Sequence, residues 1–150
     1  YLLEKGVKLE NATGVRYMYH EPCHTPMKTY KSLDVVKTLM GTDVPLNDRC
    51  CGESGTFGVS LPHIATQVRF RKEEEMRKGT TALRADGFDG EVKILTSCPA
   101  CQQGLSRYND DTDTTADYIV VEMAKHLLGE DWMAEYVANA NDGGIERVLL

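Results

Sequence analysis

The sequence predicts an α/β fold with a mainly parallel sheet covered by helices. Two observations carry that prediction. Segments of strand character alternate along the chain with segments of helical periodicity. Each cysteine motif falls just beyond a predicted strand, at the sheet end where ligands of such folds gather. The 150 residues, 41% of them hydrophobic, supply one ordinary core and too little length for two domains. Tyr1 to Leu9 reads as the continuation of something that started earlier, so one domain over 1–150, cut from a longer polypeptide, is expected.

Val15 to His20 alternates bulky residues and runs into Glu21-Pro22, where the proline cannot donate to a ladder, so a short strand leads straight to Cys23. From Ser32 onward Leu33, Val36, Leu39 and Met40 share one helical face, and Gly41 suits a left-handed cap. Val44-Pro45-Leu46 is a short, weak strand before Cys50-Cys51. The run Cys51-Gly52-Glu53-Ser54-Gly55-Thr56-Phe57-Gly58 carries three closely spaced glycines and reads as a loop built around a bound group. Ser60 and Pro62 open the longest helix, which is expected to reach about Lys78 and stop at Gly79, with Lys72-Glu73-Glu74-Glu75 as a solvated face. Glu91 to Thr96 is another strand, and it delivers Cys98-Pro99-Ala100-Cys101 to the start of a helix that fades near Tyr108 to Asp111. After the polar stretch Thr112 to Asp117, the apolar residues Tyr118, Ile119, Val120, Met123, Leu127 and Leu128 give a strand passing into a helix, or one helix, capped at Gly129. A last helix from Trp132 to about Ala140 ends at Gly143-Gly144 and leaves Ile145 to Leu150 as a strand or tail.

A net charge of −6, with acidic residues scattered through the chain, gives no surface for nucleic acid or anionic lipid. No apolar run approaches the roughly 18 residues of a membrane span, and no basic segment precedes a cleavable apolar one. A cytoplasmic location is expected. The five cysteines are an odd number in a chain without a secretion signal, which favours metal or redox chemistry over a disulfide framework.

Cys98-x-x-Cys101 at a helix start points two sulfurs the same way, and the helix's partial positive charge favours thiolates there. Pro99 keeps Cys98 extended and suits the first turn. In the adjacent pair Cys50-Cys51 the side chains diverge, and a disulfide between them would close a strained ring. Diverging sulfurs suit a polynuclear cluster whose separate irons each take one, and five cysteines exceed the usual four ligands by one. Two other readings stand beside this one. Four of the cysteines could hold structural zinc, although only one Cys-x-x-Cys knuckle is present. Cys98 and Cys101 could form a dithiol redox site, which leaves three cysteines unexplained. His24, next to Cys23, is expected beside the ligands, donating a hydrogen bond to a cluster sulfur, with service as a rare nitrogen ligand as the alternative. His20, His63 and His126 have no cysteine or carboxylate partner at metal-ligand spacing and read as surface or packing residues. Glu53 reads as a solvated loop carboxylate, with proton acceptance near the site as the functional alternative.

Tyr19-His20-Glu21-Pro22-Cys23-His24, Cys50-Cys51-Gly52-Glu53-Ser54-Gly55-Thr56-Phe57 and Cys98-Pro99-Ala100-Cys101 together resemble the CCG cysteine-rich domain family over roughly Val15 to Gly129. That family includes the heterodisulfide reductase B subunit and the iron–sulfur parts of glycolate, lactate and glycerol-3-phosphate oxidising systems. The resemblance implies an iron–sulfur cluster of the 4Fe-4S type, non-cubane in the heterodisulfide reductase branch, held by Cys23, Cys50, Cys51, Cys98 and Cys101, with zinc as the alternative metal. It also implies FAD elsewhere in the full-length protein and flavin-containing and ferredoxin-like domains or subunits as partners. The expected role is electron relay in an FAD-linked oxidoreductase acting on a small organic substrate such as a 2-hydroxy acid. A zinc-stapled docking module and a disulfide-cleaving cluster site are the alternatives.

Overall fold

The computed structural model describes residues 1–143 except 11, 26 and 54, so the reading of Ile145 to Leu150 as a strand or tail lies outside the described residues. Three strands, β1 (Val15–Tyr19), β2 (Glu91–Thr96) and β3 (Thr115–Tyr118), form a sheet in the order β1-β2-β3 with both pairings parallel. The register sets Tyr17 opposite Lys93 and Tyr19 opposite Leu95, and Leu95 in turn opposite Asp117. The weak strand expected at Val44-Pro45-Leu46 touches the sheet through a single parallel bridge, Tyr19 to Leu46. Pro45 has no N–H with which to lengthen that ladder, though its carbonyl accepts from the Tyr19 N–H at 2.9 Å.

A parallel sheet needs both faces covered, and side-chain alternation divides its residues between them. Tyr17, Tyr19 and Leu95 pack with Val36, Leu39 and Met40 of α1 (Ser32–Met40) and with Ile119 and Met123 of α6 (Ile119–Leu128). On the other side Met18, Val92 and Ile94 pack with Met76 of α3 (Pro62–Leu83) and Leu105 of α4 (Pro99–Ser106). Cys51 and Cys101 are members of this second cluster. The short helices α2 (Phe57–Ser60) and α5 (Asn109–Thr112) lead into α3 and out of α4, and α7 (Trp132–Gly143) follows α6 without burying a residue. Gly41 caps α1 in the left-handed region, with φ 64°, as its position in the sequence predicts. Among the described residues no helix is long and apolar enough to cross a membrane.

Four expectations change. The long helix does not stop at Gly79 but continues to Leu83. A Cβ at Gly79 would lie 2.8 Å from both Asn47 Nδ2 and Met18 Sδ, so this glycine permits close approach of α3 to β1 and does not end the helix. Lys72 is not solvated; it is completely buried. The polar stretch Thr112 to Asp117 contains most of β3, whose place at the sheet edge suits polar residues, and Thr115 Oγ1 donates to Glu91 Oε1 across the pair at 2.8 Å. Finally, His126 has a carboxylate partner, with Nε2 3.3 Å from Glu122 Oε1. It joins a buried network in which Tyr17 Oη donates to Glu122 at 2.8 Å and Lys93 Nζ pairs with Glu122 Oε2 at 2.8 Å.

The tight contact at Gly79 outweighs helix propensity. Replacing it with alanine removes a penalty of about 1 kcal/mol for glycine in a helix, but overpacking costs about 1–3 kcal/mol. Gly79→Ala is therefore expected to lower the thermal midpoint by a few degrees, and a midpoint raised above wild type in a melting experiment would refute the close-packing account.

Candidate metal centre

The cysteines reach one place because the strands end there. Cys23 follows β1 by four residues and Cys98 follows β2 by two. Cys98 sits at the N-cap of α4 in extended conformation (φ −125°, ψ 127°), with Pro99 as the first helical residue, which is the arrangement read from the sequence. All five cysteines line a single cavity of about 60 Å³, joined by Pro22, His24, Glu53 and Ala100. None is in a disulfide.

Within the cavity the sulfurs form two close pairs. Cys23 Sγ lies 4.0 Å from Cys50 Sγ on the exposed side, and Cys51 Sγ lies 3.3 Å from Cys101 Sγ in the interior. The adjacent residues Cys50 and Cys51 thus diverge to different partners, as expected for neighbouring side chains. The turn that separates them includes Arg49 at φ 73°, a left-handed conformation uncommon outside glycine and the kind of strain found at functional sites. Gly52 follows at φ 76°, and its N–H donates to Cys50 Sγ at 3.3 Å. A Cβ on Gly52 would come within 3.1 Å of the Arg69 side chain, so glycine serves both the turn and the approach to α3.

The contact within the buried pair drives its two thiols in opposite directions. Its contact with Cys101 draws the Cys51 thiol well below its ordinary range, against burial and helped by the nearby His20 ring, while the same contact and then burial hold Cys101 far above it. Burial first and Cys50 next raise Cys23. The interior therefore favours one thiolate beside one thiol, and a metal binding to both must displace the remaining proton. Five soft sulfur donors around one cavity, without a disulfide, fit an iron–sulfur cluster or another thiophilic metal.

Lys72 and Glu53 hold the loop that carries Cys50 and Cys51. Lys72 Nζ donates to Asn47 O at 2.8 Å, to Asn47 Oδ1 at 2.6 Å and to Asp48 O at 2.7 Å, which uses all three of its protons. Asn47 in turn donates from its N–H to Tyr19 O at 2.8 Å and from Nδ2 to Glu75 O at 3.0 Å, tying the end of β1 to α3. Burial pushes the Lys72 ammonium down to about 8, partly offset by the charges of Cys51, Glu75, Asp48 and Cys101. Glu53 is 13% exposed and not a solvated carboxylate: Arg69 Nε donates to its Oε1 at 3.0 Å and Arg107 clamps the same oxygen. Its side chain fills the space that a Cβ on Gly104 of α4 would take.

Of the histidines, His24 lines the cavity as expected, and His63 is exposed on the first turn of α3. The sequence reading missed His20. It is buried, as a packing residue would be, but a ring nitrogen of His20 and the sulfurs of Cys51 and Cys101 lie within 4.8 Å of one another. Strand alternation held the clue, since His20 lies two positions past Met18 and so falls on the same face as the second cluster.

Replacing Lys72 with methionine keeps the apolar stem and removes the donor. Three oxygens then lose their partner, so the loop before Cys50 is expected to loosen and metal uptake to fall, with a stability loss of about 2 kcal/mol at neutral pH. The folded chain binds the Lys72 proton less tightly than the unfolded chain, whose lysine titrates near 10.5, so wild-type stability gains on the variant as pH rises from about 8 to 10.5. Denaturant unfolding of both proteins under reducing conditions measures the difference, and a gap independent of pH across that window would contradict the burial argument.

The profile of the cysteine-rich domain family, CCG, matches residues 17–106, and that of a domain of unknown function, DUF3400, matches residues 106–150. The chain is also similar to the B subunit of the fumarate reductase (CoM/CoB) of Methanothermobacter marburgensis, at 29% identity over 95 residues, which make up 59% of this chain and 17% of that relative. No solved structure matches the chain significantly. With more than half of its residues matched, all five cysteines among them, the chain belongs to the cysteine-rich domain family.

Proposed function

We propose that this chain is the iron–sulfur-binding, electron-relaying domain of a larger oxidoreductase. The observation that carries the reading is the convergence of five thiols on one cavity, with Cys50 and Cys51 directed to separate partners. A single tetrahedral ion has no use for five sulfurs, whereas a polynuclear centre does. The similarity to a component of a reductase supports a place among redox subunits.

Cys23, Cys50, Cys51, Cys98 and Cys101 would hold a 4Fe-4S-type group, non-cubane if the chain follows the heterodisulfide reductase branch. When bound, such a group supplies one-electron transfer at a potential set by its charge, hydrogen bonding and exposure. The chain's own residues do the rest. Cys51 and Cys101 anchor the interior side within the core, and the exposed pair Cys23 and Cys50 leaves the other side open to an electron partner. Lys72 places a buried positive charge where thiolates accumulate negative charge, and Arg69 and Arg107 neutralise Glu53 at the cavity wall. In the full-length protein a flavin would oxidise a small organic substrate such as a 2-hydroxy acid, and flavin-containing and ferredoxin-like domains or subunits in the cytoplasm would exchange electrons with this one.

Anaerobic reconstitution of the wild type with iron and sulfide, followed by the same treatment of the five single Cys→Ser variants, tests the reading. Cys50→Ser and Cys51→Ser are expected to lose iron, sulfide and cluster absorption as severely as Cys98→Ser and Cys101→Ser. Zinc without iron or sulfide in the wild type, with one of Cys50 and Cys51 dispensable, would replace the relay by a structural site. The purified flavin-free chain is further expected to show no oxidation of hydroxy acids with an artificial acceptor, and steady turnover would overturn the assignment of substrate chemistry to another domain.

A further inference from the structure

His20 is buried to 2% exposure, and neither of its ring nitrogens has a hydrogen-bond partner among the described residues. Its backbone is fixed independently of the side chain, because its N–H donates to Leu95 O at 2.8 Å and extends the β1–β2 ladder by one residue. That register holds the imidazole on the side of the sheet that carries Cys51 and Cys101. Thr96, on the same side of β2, also has a buried hydroxyl without a partner, so the neighbouring strand does not satisfy the ring.

Buried polar atoms in folded proteins are almost always satisfied, and although the His20 ring favours the Cys51 thiolate, neither ring nitrogen makes a hydrogen bond of ordinary geometry, which leaves room for a further partner. The position of the ring says what that partner is. One of its nitrogens and the sulfurs of Cys51 and Cys101 are all within 4.8 Å of one another, and all three residues are buried. Two thiols and an imidazole at that separation are a donor set that a thiophilic metal ion can take. Mixed ligation is chemically ordinary, since imidazoles replace thiolates on one iron in some iron–sulfur centres.

We propose that His20 is a ligand of the centre, with a ring nitrogen bound to the metal that Cys51 and Cys101 also bind. The inference rests on the reading that these cysteines hold metal, though not on the metal being an iron–sulfur cluster. Neutral imidazole in the ligand set leaves the centre with less negative charge than thiolates alone, which raises its reduction potential.

The test uses the whole chain, anaerobic and reduced, with its histidines labelled with 15N, loaded in one arm with Co2+ and in the other with iron and sulfide. Pulsed electron paramagnetic resonance of the loaded wild type is expected to show the strong coupling of a directly bound histidine nitrogen. That coupling should vanish in His20→Gln and persist in His24→Gln and His63→Gln. Co2+ affinity, read from thiolate-to-metal charge-transfer absorption, should fall in His20→Gln by more than the 10- to 100-fold that loss of an outer-shell partner costs. A loaded wild type without a bound histidine nitrogen, or a coupling that survives His20→Gln, overturns the proposal, and the first of these needs no variant to fold. Iron and sulfide uptake without bound nitrogen sinks His20 and leaves the relay standing. A Co2+ site with bound nitrogen in a chain that takes up no iron and sulfide supports His20 and sinks the relay, and a chain that binds neither metal sinks both.

Discussion

Parallel strands bring their carboxyl ends to one edge of the sheet, and the chemistry of this chain depends on that constraint. Residue 20 after β1 and residue 97 after β2 start from neighbouring points, so Cys23 and Cys98 reach the same cavity. The second constraint is that both faces must be covered. On one face α3 and α4 do this, and the Gly52 turn and the first turn of α4 bring Cys51 and Cys101 into the same apolar cluster as Met18, Ile94 and Met76. Two sulfurs of the proposed centre are therefore core residues as well. Their ligation would be coupled to the packing of the core, which is how metal binding becomes folding free energy.

Charge in this chain is handled in two ways of different worth. Away from the cavity, exposed ion pairs such as Lys37 with Asp43, 2.7 Å apart, decide little. Lys72 is another matter, because a buried ammonium left without acceptors would be strongly destabilising. Asn47 and Asp48 supply all three acceptors, two of them backbone carbonyls just ahead of Cys50. The same bonds that make its burial tolerable thus fix the loop. Glu53 mirrors this on the other side, where two guanidinium groups draw a carboxylate out of solvent and bind the residue after Gly52 to α3 and α4.

Local signals in the sequence reached far into this structure. The alternation of Val15 to His20, the Cys98-Pro99 helix start, the Gly41 cap and the divergence of Cys50 from Cys51 each follow from neighbours along the chain, and each is found. What escaped depended on residues distant in sequence. Gly79 looks like a stop until Met18 and Asn47 are seen against it. Lys72 belongs to a charged run whose other members support a solvated face, and only the carbonyls of Asn47 and Asp48 reveal that it points inward. His20 has no cysteine nearby in sequence except Cys23, yet its partners in space are Cys51 and Cys101.

The boundary between the two matched stretches, at residue 106, does not coincide with a boundary in the fold. Beyond it lie β3, which completes the sheet against β2, and α6, whose Ile119 and Met123 cover the Tyr17 and Leu95 face. A buried ion pair ties the two stretches as well. Lys93 on β2 is buried and pairs with Glu122 on α6, and Tyr17 on β1 donates to the same carboxylate. Breaking a buried pair by removing one partner costs about 3–5 kcal/mol, a large share of the stability of a domain. The cysteine-bearing strands therefore need residues from the second stretch to bury their far face and neutralise Lys93. By contrast α7 buries nothing, so among the described residues the dependence runs through 115–128 and not through α7.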